Sequence, residues 1–482
     1  MRFLFELIDA PRAPLRRALL SLAALLLTGA ESTRAAQLEQ SVPTLWIWNI
    51  HVVDTQTGTI ANDRAVGISD GRIVAIKPAS EMPAGDNAQR VDGGGAFAIP
   101  GLWDAHVHLL QAGDAAARQQ ASAMLGHGIT HVRDMGSSLA ARAAFLIFAQ
   151  SPAAAVPTML SAGPAVWAFE SPWGNPSQRL VAGTDAAIDA AVARLADAKV
   201  DLVKVYAGFD SARLRILVAA AKRRGLPVAG HAQTGMTLAE QARMGVQTIE
   251  HFDFSTFAEC VPEAEVYFGR VISARFRKSG ESIPGIYDAF SKAADTPECR
   301  QRLRAAAAAG LVLTPTLISS FLSSGRTEPA MLSGSTAQRE ECALYRAQFE
   351  GSEAQDGERL AAAGRRLMQI VLDAGVPLLA GTDSPSFCAR PGQSLATELA
   401  LMFEAGMSPL AVLQAATLLP AQRLGGGAPV GRIAIDSPAN FLLLEGNPLL
   451  NVGAYARPLG LYSQGQWRDA GALARLRNGQ NK

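Results

Sequence analysis

The chain has 482 residues, 49% hydrophobic and 18% charged, which is enough apolar material for a large core and excludes a disordered chain. A formal net charge of +1 removes any electrostatic argument for a nucleic-acid or acidic-surface partner. The first residues are the one compositional oddity. Arg2, Arg12, Arg16 and Arg17 precede an apolar run from Ala18 to Leu27 that is too short to span a bilayer comfortably, and small residues follow through Ala35 and Ala36. Residues 1–36 are therefore expected to be an export signal, with a periplasmic or secreted protein and no stable membrane insertion after its removal. The Arg16-Arg17 pair leaves a twin-arginine route open.

From Thr44 to Ala98 the runs "LWIWNIHVVD", "RAVGISDGRIVAI" and "GAFAIP" alternate with Asp-Gly and Gly-Gly turn signals, which predicts a small antiparallel β-unit. After Gly431, "RIAI", "ANFLLLEG" and "GLYSQGQW" return to the same pattern and are expected to complete it. The two ends, residues 37–98 and 426–482, are read as one β-sandwich.

Between them strand-like runs alternate with helical ones. The strands fall at Pro100–Leu109, Ile129–Gly136, Thr158–Pro164, Val200–Gly208, Leu226–Ala232, Val246–Phe252, Leu311–Leu317 and Val376–Ser384. Helical spacing lies between, as in "SARLRILVAAAKRRG", with Ser211 as N-cap and a glycine stop, and in "ERLAAAGRRLMQIVLDAG" from Glu358. Eight βα units predict an α/β protein built on a (β/α)8 TIM barrel over residues 99–425, whose chemistry sits at the carboxyl ends of the strands. Residues 253–310 are too long for a plain connection and contain helical spacing, so they are expected to form a helical insert over the mouth. Cys260, Cys299, Cys342 and Cys388 of an exported chain suit two disulfides; among the possible connectivities the preferred one pairs Cys260 with Cys299 and Cys342 with Cys388.

"PGLWDAHVHL", Pro100–Leu109, delivers His106 and His108 two residues apart on a strand, hence on one face. The other strand ends supply Lys204, His231, His251 and Asp383. Four of the seven histidines, an acid and a lysine at one rim point to a divalent cation, zinc first, with iron, cobalt, manganese and nickel also suited to such donors. An ammonium beside cations is repelled, so Lys204 must be neutral or chemically altered; a neutral amine that captures carbon dioxide becomes an anionic carbamate.

With "PGLWDAHVHL", "KVYAG", "GHA", "IEHF", "GTDS" and "GNPL", the sequence resembles the amidohydrolase superfamily, in the branch of imidazolonepropionase-like and metal-dependent prolidase-like enzymes. The resemblance implies two divalent metal ions: His106, His108 and Asp383 on one, His231 and His251 on the other, and carboxylated Lys204 bridging. A one-metal version would use His106, His108, His231 and Asp383. It further implies an enzyme that cleaves an amide-type carbon–nitrogen bond by a metal-bound hydroxide, with Asp383 as the catalytic proton carrier. The substrate expected is a small molecule, an N-acyl amino acid or bulky amide. An Xaa-Pro dipeptidase, a lactone or ester hydrolase, and a non-catalytic metal-binding structural protein are the alternatives. The prolidase-like branch often carries a histidine after strand three and a tyrosine two residues past the first histidine of strand five. Trp173 and Gln233 stand there instead, so Trp173, Gln233 and Tyr206 are the candidate substrate contacts, with Phe169 beside them. His51, His127 and His131 are read as packing residues, and Arg133 with Asp134 as a pair that fixes a loop. A homo-oligomer is left open.

Overall fold

The structure, a computed structural model, describes residues 42–151, 153–171, 175–252, 256–258, 260–261, 263–264, 266–267, 283–318, 354–386, 389–425 and 431–479. The leader, Trp173, Cys342 and Cys388 lie outside the described residues. In chain order, β1 (Leu45–Val53), β2 (Ile60–Ser69), β3 (Arg72–Pro78) and β4 (Gln89–Pro100) precede β5 (Leu102–Val107), β6 (Ile129–Asp134), β7 (Thr158–Ser161), β8 (Ala165–Trp167) and β9 (Arg179–Val181). There follow β10 (Val203–Val205), β11 (Val228–His231), β12 (Val246–Glu250), β13 (Leu313–Thr314), β14 (Phe441–Leu444), β15 (Pro458–Ser463) and β16 (Gln466–Asp469).

Both ends of the chain meet in one seven-stranded sheet of order β16-β15-β14-β4-β1-β2-β3. Its apolar face buries Ile47, Ile50, Val66, Ile68, Ala98, Phe441 and Leu443 together. The unit is not purely antiparallel: β1 pairs with β4 in parallel, because the chain leaves the β2–β3 hairpin and crosses back to the other side of β1. "RIAI" forms no strand. "GLYSQGQW" folds instead as the β15–β16 hairpin, turned at Gln464 and Gly465, whose φ values of 52° and 75° suit a tight hairpin turn.

The central region is parallel throughout, in a three-stranded sheet β5-β6-β7 and a six-stranded sheet β13-β12-β11-β10-β8-β9. Helices alternate with these strands, among them Asp114–Gly126, Asp185–Asp197, Ser211–Arg223, Leu238–Met244 and Pro297–Ala308. Their apolar faces share one core with the strands, including Leu125, Leu195, Leu217 and Leu303. The N-cap of Ser211–Arg223 is Asp210 rather than Ser211, its carboxylate accepting from Arg213 N–H at 2.8 Å. β5 is buried along its whole length, as its unbroken apolar neighbours require.

Two expectations about strands need correction. The third run splits at Gly163, where φ of +64° turns the chain so that β7 pairs with β6 while β8 pairs with β10. The eighth run forms only isolated bridges, Leu313 with Leu378 and Val107 with Ser384. It still links the two parallel sheets: Leu379 N–H donates to Leu313 O at 2.9 Å, and Ala105 N–H donates to Ala380 O at 2.8 Å. Gly381 is wedged there, and a Cβ on it would lie 2.6 Å from the Thr314 methyl and 2.9 Å from His106 Cβ.

The preferred Cys260–Cys299 disulfide is formed, with Cα atoms 4.7 Å apart. Within the expected insert, Ile283–Ala294 and Pro297–Ala308 are helical. Pro297–Ala308 packs on Leu238–Met244, so this part belongs to the helical layer.

Candidate metal centre

The carboxyl ends of the parallel strands supply the site. His106 is the penultimate residue of β5 and His108 directly follows the strand, their Nε2 atoms 3.4 Å apart. Asp383 reaches them from the segment after Gly381: its Oδ1 lies 3.1 Å from His108 Nε2 and 3.4 Å from His106 Nε2. One ligand atom from each of these three residues falls within 4.8 Å of the others. The position of Asp383 is set by backbone, its N–H donating to His106 O at 2.7 Å. The His251 ring lies 4.7 Å from that of His106, and the His231 ring 4.7 Å from that of His251. Lys204 is buried on β10, with no hydrogen-bond partner for Nζ among the described residues.

Burial, with the nearby charges of Lys204 and His251, holds the His106 and His231 pKa values well below the ordinary imidazole value, so both rings are neutral and offer lone pairs. Burial alone would raise the Asp383 pKa, yet the adjacent imidazoles of His108, His251 and His106 hold it below the usual carboxylate range. Burial pushes Lys204 down to about 8, against the opposing pull of Glu250 and Asp383. An ionised Asp383 carboxylate, the neutral His106 and His231 imidazoles and an amine poised to lose its proton form a donor set that suits a borderline divalent cation. The residues fit a metal.

Sequence reading missed the support behind His106. Glu250, fully buried, lies with Oε2 2.8 Å from His106 Nδ1, while its Oε1 accepts from Arg133 at 2.8 Å and also from the Thr248 hydroxyl. Arg133 donates further to Ala105 O at 2.6 Å and to Thr248 Oγ1 at 2.9 Å, tying β5, β6 and β12 together. A carboxylate on Nδ1 fixes the tautomer and turns Nε2 toward His108 and Asp383. Strand alternation would send Glu250 and His251 to opposite faces; His251 escapes it with a left-handed φ of 71°, so both serve the site. Arg133 does not pair with Asp134, since adjacent strand residues point apart, and Asp134 instead accepts from Leu110 N–H at 3.2 Å. Asp104, also unforeseen, accepts from Thr382 N–H at 3.0 Å and Thr382 Oγ1 at 2.7 Å, binding the segment of Asp383 to β5.

Of the candidate substrate contacts, Tyr206 lies at the site, its ring 4.1 Å from that of His231. Gln233 does not offer its amide to a substrate. Its Oε1 accepts from Phe209 N–H at 3.0 Å, its Nε2 donates to Tyr206 O at 3.2 Å and His231 O at 3.0 Å, and it is buried. It positions the strand ends. Trp167 was missed; it stacks on Tyr206 at 3.8 Å. His131 packs on Trp103 at 4.3 Å, and His51 against Phe97 at 4.9 Å, as packing residues should.

Residues 97–468 match the amidohydrolase family. An adenine deaminase from Chelativorans sp. (strain BNC1) is 33% identical over 212 residues, which cover 42% of this chain and 34% of that protein. An imidazolonepropionase from Ralstonia nicotianae is 47% identical over 53 residues, 11% of this chain and 13% of that protein. The chain thus matches about a third or less of the length of these curated relatives. A solved Xaa-Pro dipeptidase with bound methionine in its active site superposes with a TM-score of 0.63 at 18% identity, over 88% of this chain and 99% of that one, a likeness of fold.

Proposed function

The chain belongs to the amidohydrolase family, and from that premise we propose that it is a metal-dependent hydrolase of a carbon–nitrogen bond in a small amide. The observation that carries this reading is the convergence of His106, His108 and Asp383, with Glu250 holding the far side of His106. In it His106, His108 and Asp383 would hold one divalent ion, zinc first, His231 and His251 would hold a second, and Lys204 in its carboxylated form would complete the donor set. The buried, partnerless Lys204 Nζ with its lowered pKa supports the carbamate. In this reading the two parallel sheets, linked through residues 376–384, close as a (β/α)8 barrel over residues 99–425, and the single seven-stranded sheet built from both ends of the chain stands where a β-sandwich is expected. The Cys260–Cys299 disulfide supports export to an oxidising compartment after loss of residues 1–36.

When bound, the metal supplies Lewis acidity toward the carbonyl and lowers the pKa of water. The rest falls to the chain. Asp383, ionised and beside His108 Nε2, accepts the proton of the attacking water as its oxygen adds to the carbonyl carbon. It then gives that proton to the departing nitrogen as the C–N bond breaks, leaving a carboxylic acid and an amine. His106 stays fixed by Glu250 throughout.

The test is a screen of zinc-loaded protein against N-acyl amino acids, Xaa-Pro dipeptides and lactones. Hydrolysis of acyl amides ahead of the other two classes is expected. Preference for Xaa-Pro dipeptides would favour the dipeptidase reading that the solved dipeptidase keeps open, and preference for lactones would overturn the C–N assignment.

A further inference from the structure

Resting on the hydrolase reading above, we propose that the site selects substrates with a planar aromatic group close to the scissile bond, and that Trp167 and Tyr206 set that selectivity. Strand register carries the inference. Val205 pairs with Val166 on one side and with Gly230 on the other. The next residue of each strand, Trp167, Tyr206 and His231, therefore falls in one row across the carboxyl ends of β8, β10 and β11, and Tyr206 N–H donates to Val166 O at 2.9 Å to hold it there.

The rings stack along this row. Trp167 and Tyr206 lie 3.8 Å apart and 10° from parallel; Tyr206 and His231 lie 4.1 Å apart at 37°. Tyr206 is two residues beyond Lys204 and so faces the same side of the strand. The row thus starts at the metal-ligating imidazole and leads away from it. Phe169 extends it, edge-on to Trp167 at 6.1 Å and 85°. Gly208 makes room for that ring, since a Cβ there would meet it at 2.5 Å.

Rings that serve only the core are fully buried, as Phe252 and Phe257 are here. Trp167 and Tyr206 are half-buried and Phe169 is 49% exposed. A row of partly exposed ring edges continuous with the reacting centre, ending in the exposed Phe169 ring, offers edge-to-face and offset contacts that a saturated ring of the same size cannot match. An aryl group within a few bonds of the scissile carbonyl would reach it.

The test uses matched product fragments, which bind without turnover: benzoate against cyclohexanecarboxylate for the acyl side, and benzylamine against cyclohexylmethylamine for the amine side. Calorimetric titration of the zinc-loaded full chain is expected to favour the aryl member of one pair by roughly five- to tenfold. Trp167→Leu is expected to bring that ratio close to one, and Phe169→Ala, at an exposed position that tolerates truncation, to lower it about two- to threefold. Ratios near one for both pairs in the native protein, or a ratio that both variants leave unchanged, would overturn the proposal. Because the fragments do not react, an aryl preference without amide turnover would remove the hydrolase reading and leave the aromatic selectivity standing.

Discussion

Replacing Glu250 separates two jobs that one carboxylate performs. Its Oε2 holds His106 Nδ1 at 2.8 Å and its Oε1 holds Arg133 at 2.8 Å, and His106, Glu250 and Arg133 are all at most 1% exposed. Glu250→Gln removes the charge at nearly constant volume. Loss of a carboxylate behind a metal-ligating histidine costs about 10–100-fold in metal affinity. Because glutamine keeps one acceptor near Nδ1, the expected loss lies at the lower end, about tenfold. The same change strands the buried Arg133 guanidinium, and breaking a buried pair from one side costs roughly 3–5 kcal/mol. Arg133→Met with Glu250→Gln removes both charges and is expected to recover most of that stability, while leaving the metal affinity as low as in the single variant. Metal affinity is read by competition with a chromophoric zinc chelator, and stability by urea unfolding of metal-free protein. Metal affinity within threefold of native in a folded Glu250→Gln protein would refute the role given to this contact. So would a double variant no more stable than the single one.

Asp383→Asn, which keeps an oxygen donor, is expected to bind metal more weakly, to load in excess zinc, and to lose most amide turnover when loaded; undiminished turnover would remove Asp383 as proton carrier. Gly230→Ala would set a Cβ 1.9 Å from Val205 O, so β10 and β11 must separate beside His231, and a cost of several kcal/mol with loss of metal binding is expected in the same urea and chelator assays. His131, half-buried and away from the candidate metal centre, has its pKa pushed down to about 4 by the loss of solvent around its ring. Between about pH 6.5 and 4 the unfolded chain takes up this proton while the folded one does not, so stability is full above 6.5 and is lost as pH falls through that window, by roughly 2–3 kcal/mol. His131→Phe, which keeps a ring against Trp103, is expected to flatten that part of the stability profile, and an unchanged slope would contradict it.

The residues of the centre were legible because the histidines and Asp383 stand at or near the ends of apolar runs and Lys204 stands inside one, places where such side chains have no packing reason to be. Its support was not. Glu250 escaped because a left-handed residue breaks strand alternation at His251, and no sequence period encodes that. Arg133 escaped because its partners lie 115 and 117 residues away in Thr248 and Glu250. Trp167 became visible as a neighbour of Tyr206 only through the β8–β10 register, which depends on the turn at Gly163. Gln233 looked like a substrate contact because its position was read without its backbone partners. In the outer sheet, the parallel β1–β4 pair was hidden because alternation reports which face is buried and not which strand lies alongside.

Metal quantification by plasma mass spectrometry on protein purified after growth with zinc tests the central claim most directly. The account predicts close to two equivalents per chain, falling sharply in a His106→Ala, His108→Ala double variant that remains folded. Less than about half an equivalent in the native protein, or a stoichiometry indifferent to those two histidines, would contradict it.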